Sequence, residues 1–291
     1  MTGLALELSP PESKHYRSWS ERLHHVARYS QADEVHVACE KARAIGATAV
    51  LAVLDGRTEQ ALADFQRWRD LSTWVVVPNM YAFIRDLTDR GLAGAALARF
   101  ARLGPGAMTA TAWNAARELR RLARSDFSAG ALWLAGMELA AARRLRVSRV
   151  FLHPQLTEIA LAGRVAPLFT EFARRVASLG MEAGLMTHNP VRAAEVLGRD
   201  LERFAAVVAP CNVKGYKMVP DRGACEALFL SDPGRFWATE ITAGESVPVA
   251  DGLDHVRRLG LAGSVLDYRA SDVVFREAQR PPAADGVSSP A

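Results

Sequence analysis

Short apolar runs alternate with longer amphipathic stretches along most of the chain. The runs are rich in β-branched and aliphatic residues, and in the first of them Leu4, Leu6 and Leu8 occupy every second position. Runs of this length that end in turn residues are typical of strands, whereas the segments between them have the 3.6-residue period of helices. Eight strands are predicted, at 2–8, 48–54, 73–77, 149–152, 181–186, 204–209, 235–241 and 261–266.

Eight strands that alternate with helices in one chain predict an α/β fold, the (β/α)8 TIM barrel. The long gap between the third and fourth strands predicts a helical insertion at 81–145. A ninth strand at 131–134 would instead favour a doubly wound open sheet, but no GxGxxG motif follows any strand to support dinucleotide binding. We therefore expect a single barrel domain over 1–280 and a disordered tail, rich in Pro, Ala, Gly and Ser, at 281–291.

Composition narrows the class of protein. Of the 291 residues, 49% are hydrophobic and 23% charged, which is ordinary for a soluble globular protein. No apolar run reaches the length of about 18 residues that a membrane span needs, and the amino terminus lacks the pattern of a signal peptide. The three cysteines are too few for a disulfide framework. These features predict a cytoplasmic protein without a membrane partner.

The basic residues are mostly arginine. The net charge is +4, and the arginines are spread over the predicted helices without the interleaved aromatic residues that stack on bases, so no nucleic-acid partner is expected. Only four basic residues are lysine, namely Lys14, Lys41, Lys214 and Lys217. Lysine can lose its proton when it is buried, whereas arginine cannot. A small-molecule substrate that meets one of these lysines is therefore a reasonable expectation.

Polar residues gather at one end of the predicted strands. TIM-barrel active sites form at the carboxyl ends of the strands, and the opposite ends here carry mainly turn residues. This asymmetry predicts an enzyme. The predicted catalytic residues are Lys214, His153, His188, Glu240 and Asp267, and the predicted substrate-binding residues are Glu7, Asp55, Asn79, Asn189, Asn212 and Arg269.

Lys214 lies in the turn after the sixth strand. A lysine inside a barrel mouth is desolvated, and a second cation such as Lys217 would lower its pKa further, which makes the free amine available to form a Schiff base with a carbonyl compound. The alternative is that both lysines are loop cations that anchor a phosphate or a carboxylate.

The strand layout and the segment Asn212–Met218 resemble the aldolase-type TIM-barrel superfamily, in which several class I aldolases carry a Schiff-base lysine on strand six. The resemblance implies a lyase that acts on a small carbonyl compound. In deoxyribose-phosphate aldolases a second lysine sits on strand seven, where this chain has Thr239 and Glu240. The resemblance therefore does not extend to that activity.

Two histidines end neighbouring strands. An imidazole near its unperturbed pKa of about 6.5 suits proton transfer, so His153 or His188 is predicted to move protons, assisted by Glu240 and Asp267. Alternatively, the two histidines hold a divalent metal together with carboxylates such as Glu7. The third interpretation is that each histidine caps the helix that follows it.

The sequence thus predicts a lyase- or isomerase-type enzyme that needs no cofactor and acts on a small polar, anionic carbonyl compound, with Arg269 as an anion anchor. A divalent-metal enzyme is the second hypothesis. The third is a binding or assembly protein that forms a homo-oligomer through the 81–145 insertion. The apolar residues for that surface are Trp113, Leu119, Leu122, Trp133, Leu134 and Met137. The last helix is expected to begin near Ser271, which would act as its N-cap.

Overall fold

A closed barrel of eight parallel strands forms the centre of the protein. The computed structural model describes residues 3–8, 32–54, 56–65, 71–101, 126–142 and 145–278. The strands pair in chain order and the last pairs back with the first, so the predicted TIM barrel is confirmed. They are β1 Gly3–Leu8, β2 Ala49–Val53, β3 Ser72–Val77, β4 Val147–Leu152, β5 Glu182–Met186, β6 Ala206–Pro210, β7 Phe236–Thr239 and β8 Gly263–Leu266.

Ten α-helices lie in the described ranges. They are α1 Ala32–Ala44, α2 Gly56–Phe65, α3 Met80–Phe100, α4 Phe127–Ala142, α5 Pro154–Ala162, α6 Ala166–Ala177, α7 Pro190–Leu197, α8 Arg222–Ser231, α9 Val249–Arg258 and α10 Tyr268–Ala278. The segment 131–134 lies inside α4, so the ninth strand is excluded. Both α3 and α4 stand between β3 and β4, where the insertion was predicted. Residues 102–125 of that insertion and the tail at 281–291 lie outside the described residues.

The barrel interior is filled by large aromatic side chains. The Trp74 ring meets the Trp237 ring edge-on at 4.7 Å between centroids and lies 5.5 Å from Phe151. Glycine makes room for these rings, because a Cβ added at Gly184 would collide with Phe151 and one at Gly263 would collide with Trp237. A second and larger apolar cluster lies between the outer faces of the strands and the helices.

An ion pair lies at the amino-terminal end of the barrel. Arg149 of β4 donates from Nε to Glu182 Oε2 at 3.0 Å on the adjacent strand β5, and its guanidinium carbon lies 4.8 Å from the Trp74 ring centroid. Side chains alternate between the two faces of a strand, so Arg149 shares the inward face of Phe151. The pair thus lies over the Trp74 ring at this end of the barrel, whereas active sites of this fold form at the opposite, carboxyl ends of the strands.

Among the described residues, no helix combines the length and the apolar character that a membrane span requires.

Candidate functional site

Asn79, at the end of β3, is a structural residue. Its Oδ1 accepts from the backbone N–H of Ala82 at 3.0 Å, which caps α3, and its Nδ2 donates to the carbonyl of Leu54 at 3.1 Å. The side chain is buried and both of its polar atoms are occupied. The structure therefore gives Asn79 a capping role, and its predicted contact with substrate stays a prediction.

The junction around Asn79 also fixes the insertion to the barrel. The Asn79 N–H donates to Glu138 of α4 at 2.7 Å, and its carbonyl accepts from the buried Arg99 of α3 at 3.3 Å. Arg99 in turn pairs with Asp86 at 2.9 Å. Because a buried charge is costly unless it is paired, this network specifies how α3 and α4 sit on the barrel.

His153, at the end of β4, caps a helix as well. Its Nδ1 accepts from the N–H of Gln155 at 3.2 Å at the start of α5, and its ring packs edge-on against Tyr81. Only 2% of the residue is exposed, and burial lowers the pKa of His153 to about 4. The expected imidazole with a pKa near 6.5 is thus wrong for this residue, which stays neutral at physiological pH and does not reach solvent.

His188, after β5, is placed differently. Its side chain is 47% exposed, and its Nδ1 lies 3.9 Å from Glu158 Oε1 on α5. The same carboxylate oxygen accepts from the backbone N–H of His188 at 2.7 Å and from the Thr187 hydroxyl at 2.8 Å. Glu158 therefore holds the β5 turn and faces the imidazole at once.

Sequence reasoning missed Glu158 because it lies inside a helix. The available signal was topological: successive loops of a barrel are neighbours, so the first turns of α5 face the end of β5. The adjacent Asn189 caps α7 through a 2.9 Å bond from the N–H of Arg192, and its own N–H donates to the Thr187 hydroxyl at 2.9 Å. Asn189 is thus a capping residue like Asn79.

The loops after β6 and β7 form one unit around Asn212. This residue is fully buried, and its Nδ2 donates to the carbonyls of Tyr216 and Glu240 at 2.9 and 3.1 Å. Its Oδ1 accepts from the Tyr216 N–H at 2.8 Å. These three hydrogen bonds of the Asn212 side chain all go to backbone atoms and link the two loops, and its predicted contact with substrate stays a prediction.

Lys217 and Glu240 form an ion pair on this unit. Lys217 Nζ lies 2.6 Å from Glu240 Oε1, each side chain is 30% exposed, and Nζ lies 5.2 Å from the Tyr216 ring centroid. Both residues have a positive φ, 57° for Lys217 and 54° for Glu240. Four of the five non-glycine residues with positive φ in the described ranges lie in these two loops. Such strain persists only where surrounding contacts enforce it, and it is concentrated at functional sites.

Lys214 does not meet the conditions on which its predicted chemistry depended. Its side chain is exposed and lines an outer cleft of about 360 Å³ together with Asp251, Asp254 and Arg258. Lys217, the expected second cation, pairs with Glu240 instead. The premise of a desolvated Lys214 beside Lys217 is therefore wrong, whereas a role as an anion anchor stays a prediction.

Glu7 and Asp267 lie at the β1–β8 edge. Leu6 pairs with Leu266 in the parallel register, so Glu7 and Asp267 come next on their adjacent strands. The Asp267 carbonyl accepts from the Ser271 N–H at 2.9 Å inside α10, so the expectation that the helix begins near Ser271 is wrong. Asp55 and the side chain of Arg269 lie outside the described residues.

The structure does not bring the two histidines onto common partners, since His153 faces Gln155 and Tyr81 whereas His188 faces Glu158. Within the described ranges, no group of three or more His, Cys, Asp or Glu side chains is arranged to hold a metal ion. The described residues thus offer no ready ligand set for the metal hypothesis.

Comparison with known protein families, with curated proteins and with solved structures finds no match. The fold is one that commonly carries enzymes, with active sites at the carboxyl ends of its strands. Function depends on the site and not on the fold. Any functional assignment therefore has to be argued from the loops after β5, β6 and β7, which carry His188, Lys217 and Glu240.

Proposed function

We propose that the protein is a lyase- or isomerase-type enzyme that acts on a small polar carbonyl compound at the loops after β5–β7. The observation that carries the proposal is the Lys217–Glu240 pair, 2.6 Å apart on two strained neighbouring loops. Lys217 takes the role that the sequence assigned to Lys214. At 30% exposure it is shielded enough to be oriented and open enough to meet a ligand.

The Glu240 carboxylate keeps Lys217 as an ammonium in the resting protein, and it is placed to take a proton from Lys217 when a carbonyl compound binds. Lys217 passes one proton to Glu240, and the free amine adds to the carbonyl carbon. Glu240 then returns the proton to the hydroxyl of the adduct, and water leaves as the imine forms. The protonated imine withdraws electrons from the neighbouring C–H or C–C bond, which is the step common to aldol cleavage and to isomerisation.

His188 is the proposed proton carrier. Its imidazole is exposed, and Glu158 Oε1 lies 3.9 Å from Nδ1, where the carboxylate would attract a protonated ring without a direct hydrogen bond. The loops are connected, because the Val219 N–H donates to the His188 carbonyl at 3.3 Å. This links the β5 turn to the segment that carries Lys217. Lys214, three residues before Lys217 in the same loop, is the proposed anchor for an anionic group of the substrate.

Hydrogen exchange tests the proposal without knowledge of the natural substrate. Pyruvate, glyceraldehyde and dihydroxyacetone phosphate are incubated with the protein in D2O, and loss of the α-proton signal is followed by NMR. We expect exchange with at least one compound, and borohydride reduction should then add its mass to the peptide that contains Lys217. Lys217→Met should lose both signals, and the matched control Lys214→Met should keep the label.

Label on Lys214 would overturn the assignment to Lys217. Exchange without any trapped adduct would exclude the imine and leave polarisation of the carbonyl by the Lys217 ammonium. No exchange with any member of the panel would count against a carbonyl enzyme of this class.

A second candidate function, assembly with a second copy, is favoured by apolar residues on α3. Ile84, Leu87 and Leu97 are 47%, 38% and 69% exposed. By contrast, Leu134 and Met137 of the predicted surface are buried and pack with Trp133 and Phe83, so α4 does not offer them to a partner. Trp113, Leu119 and Leu122 lie outside the described residues.

Sedimentation velocity tests this candidate. A concentration-dependent dimer that Leu97→Glu converts to a monomer would support assembly through α3. A wild-type protein that is strictly monomeric at micromolar concentration would exclude it.

A further inference from the structure

We infer that Asn212 is a positioning residue that holds the Lys217–Glu240 pair in its reactive geometry, an inference that rests on the proposed function for the role of the pair itself. Asn212 stands at the end of β6, is fully buried and touches neither charged group through its side chain. It acts on them through backbone, because each of its side-chain hydrogen bonds ends on a backbone atom of Tyr216 or Glu240.

The three bonds fix both members of the pair. Two of them close a ring between Asn212 and Tyr216, the residue immediately before Lys217. The third holds the carbonyl of Glu240 itself. The side-chain amide of Asn212 therefore fixes the relative position of the two backbone segments to which the Lys217 and Glu240 side chains are attached.

The pair needs this constraint because of its backbone conformation. Lys217 and Glu240 both have a positive φ, which L residues other than glycine seldom adopt. A change to the ordinary negative φ would turn each Cα–Cβ bond and separate Nζ from Oε1. The Tyr216 ring also lies close to the β7 loop, since a Cβ added at Gly244 would lie 3.5 Å from it. Catalytic groups must be held to within about half an ångström, and the amide at Asn212 supplies that restraint between the loops.

Ordinary helix capping does not explain Asn212. Asn79 and Asn189 occupy similar positions after β3 and β5, and each accepts from an N–H in the first turn of the next helix. The helix that follows β6 begins only at Arg222 and is capped by Asp221, which accepts from the Ala224 N–H at 2.9 Å. The buried amide of Asn212 is therefore used on the loop pair alone.

Competitive acetylation tests the inference without any substrate. Trace acetic anhydride is added to the native protein at several pH values, and mass spectrometry compares the acetylation rates of Lys217, Lys214 and Lys41. In the wild type we expect Lys217 to react more slowly than the exposed Lys214, because its ammonium is paired with Glu240. In Asn212→Ala, Lys217 should react about five to ten times faster, the change expected when hydrogen bonds that order a group are lost, and Lys214 should keep its rate.

Two further variants make the result specific. Asp221→Ala loosens the same segment at its helix cap without touching the pair, so Lys217 should stay protected. Asn212→Asp keeps the shape and one acceptor but loses both donors, and it should give much of the effect of Asn212→Ala. If Asn212→Ala does not fold, as judged by circular dichroism, Asn212→Asp decides the question.

The inference would be overturned if Lys217 were acetylated as slowly in Asn212→Ala or Asn212→Asp as in the wild type, while Glu240→Gln made it react faster. Equal rates for Lys217 and Lys214 in the wild type would overturn it as well. The proposed function fails separately, through absence of α-proton exchange. Loss of protection in the Asn212 variants without such exchange would leave the positioning role standing and the carbonyl chemistry refuted.

Discussion

His153 and His188 end adjacent strands of the same barrel, yet they have opposite environments. The first is buried, neutral and bound to the start of α5, and the second is half-exposed beside Glu158. The local sequence explains the difference. His153 directly precedes Pro154 at the first helical position and so is itself the N-cap, whereas Asn189 takes the same place before Pro190 and displaces His188 outward by one residue.

The comparison extends to the two sides of the barrel mouth. On the β3–β4 side the polar residues at strand ends are used for capping and for fixing the insertion. On the β5–β7 side one asparagine is used for capping, and His188, Lys217 and Glu240 stay accessible. A polar residue at a strand end is therefore a candidate for chemistry only if the next helix does not need it.

The largest expected effect separates the two lysines of the β6 loop. Lys217→Met should lower any carbonyl-dependent exchange by about 10³-fold, since loss of a charged group at the reacting centre typically costs 10²–10³. Lys214→Met should lower it by less than about tenfold, the effect of a lost surface ion contact of about 1 kcal/mol. Initial rates from NMR measure both. Equal losses in the two variants would remove the distinction between the lysines.

The next effect concerns stability and tests the β4 side. Burial lowers the pKa of His153 to about 4, below its value of about 6.5 in the unfolded chain, so the folded state disfavours the proton. The contribution to stability is complete above pH 6.5 and is lost as the pH falls from 6.5 to 4. The loss should reach about 3 kcal/mol in the free energy of unfolding.

His153→Asn keeps a good N-cap and removes the titration, so urea unfolding of this variant should show a flatter dependence on pH over that range. His255, whose pKa burial also lowers, provides a residual slope of the same sign in both proteins. Parallel pH profiles for wild type and variant would contradict the buried neutral state of His153.

A somewhat smaller effect is expected at His188. Removal of a positioned acid–base group typically costs 10²–10⁴-fold, and the partial exposure of His188 favours the low end, about 10²-fold for His188→Ala in α-proton exchange. Glu158→Gln should reduce exchange less, because it leaves the imidazole in place. Full activity in His188→Ala would remove this histidine from the proposed reaction.

The smallest expected effect is that of a simple cap. Asn189→Ala should lower the free energy of unfolding by about 1 kcal/mol, the typical value for a lost N-cap, as measured by urea titration. A loss much larger than this would indicate that Asn189 holds the β5 turn through more than its bond to the Arg192 N–H.

The barrel fold could be predicted from the sequence because the periodic spacing of hydrophobic residues distinguishes its strands from its helices. All eight strands were predicted within two residues of their observed ends, since each apolar run must reach the barrel core. The site was less accessible to sequence reasoning. Lys214 and Lys217 stand three residues apart in a turn that contains positive φ values at Gly215 and Lys217, and the turn directs Lys217 to Glu240. No periodic pattern encodes those angles.

Side-chain contacts between residues far apart in the chain could not be predicted from the sequence either. Glu158 and His188 are thirty positions apart and meet only because α5 lies over the next strand end. Asn212 was expected to contact a ligand because it follows the carboxyl end of the sixth strand. Nothing in the neighbouring sequence shows that the nine residues after Asn212, up to the helix cap Asp221, form a loop held by an internal hydrogen-bonding side chain.

The Arg149 guanidinium lies over the Trp74 ring, and Trp74, Phe151 and Trp237 pack inside the barrel, so the barrel is a filled core and not a channel. A substrate that binds between the loops after β5, β6 and β7 must leave, as product, on the same side of the barrel. A bound product therefore blocks the binding of the next substrate molecule. Products of the reaction are accordingly expected to compete directly with the incoming molecule. A ligand too long for the mouth would extend outward over the loops and would not pass through the barrel.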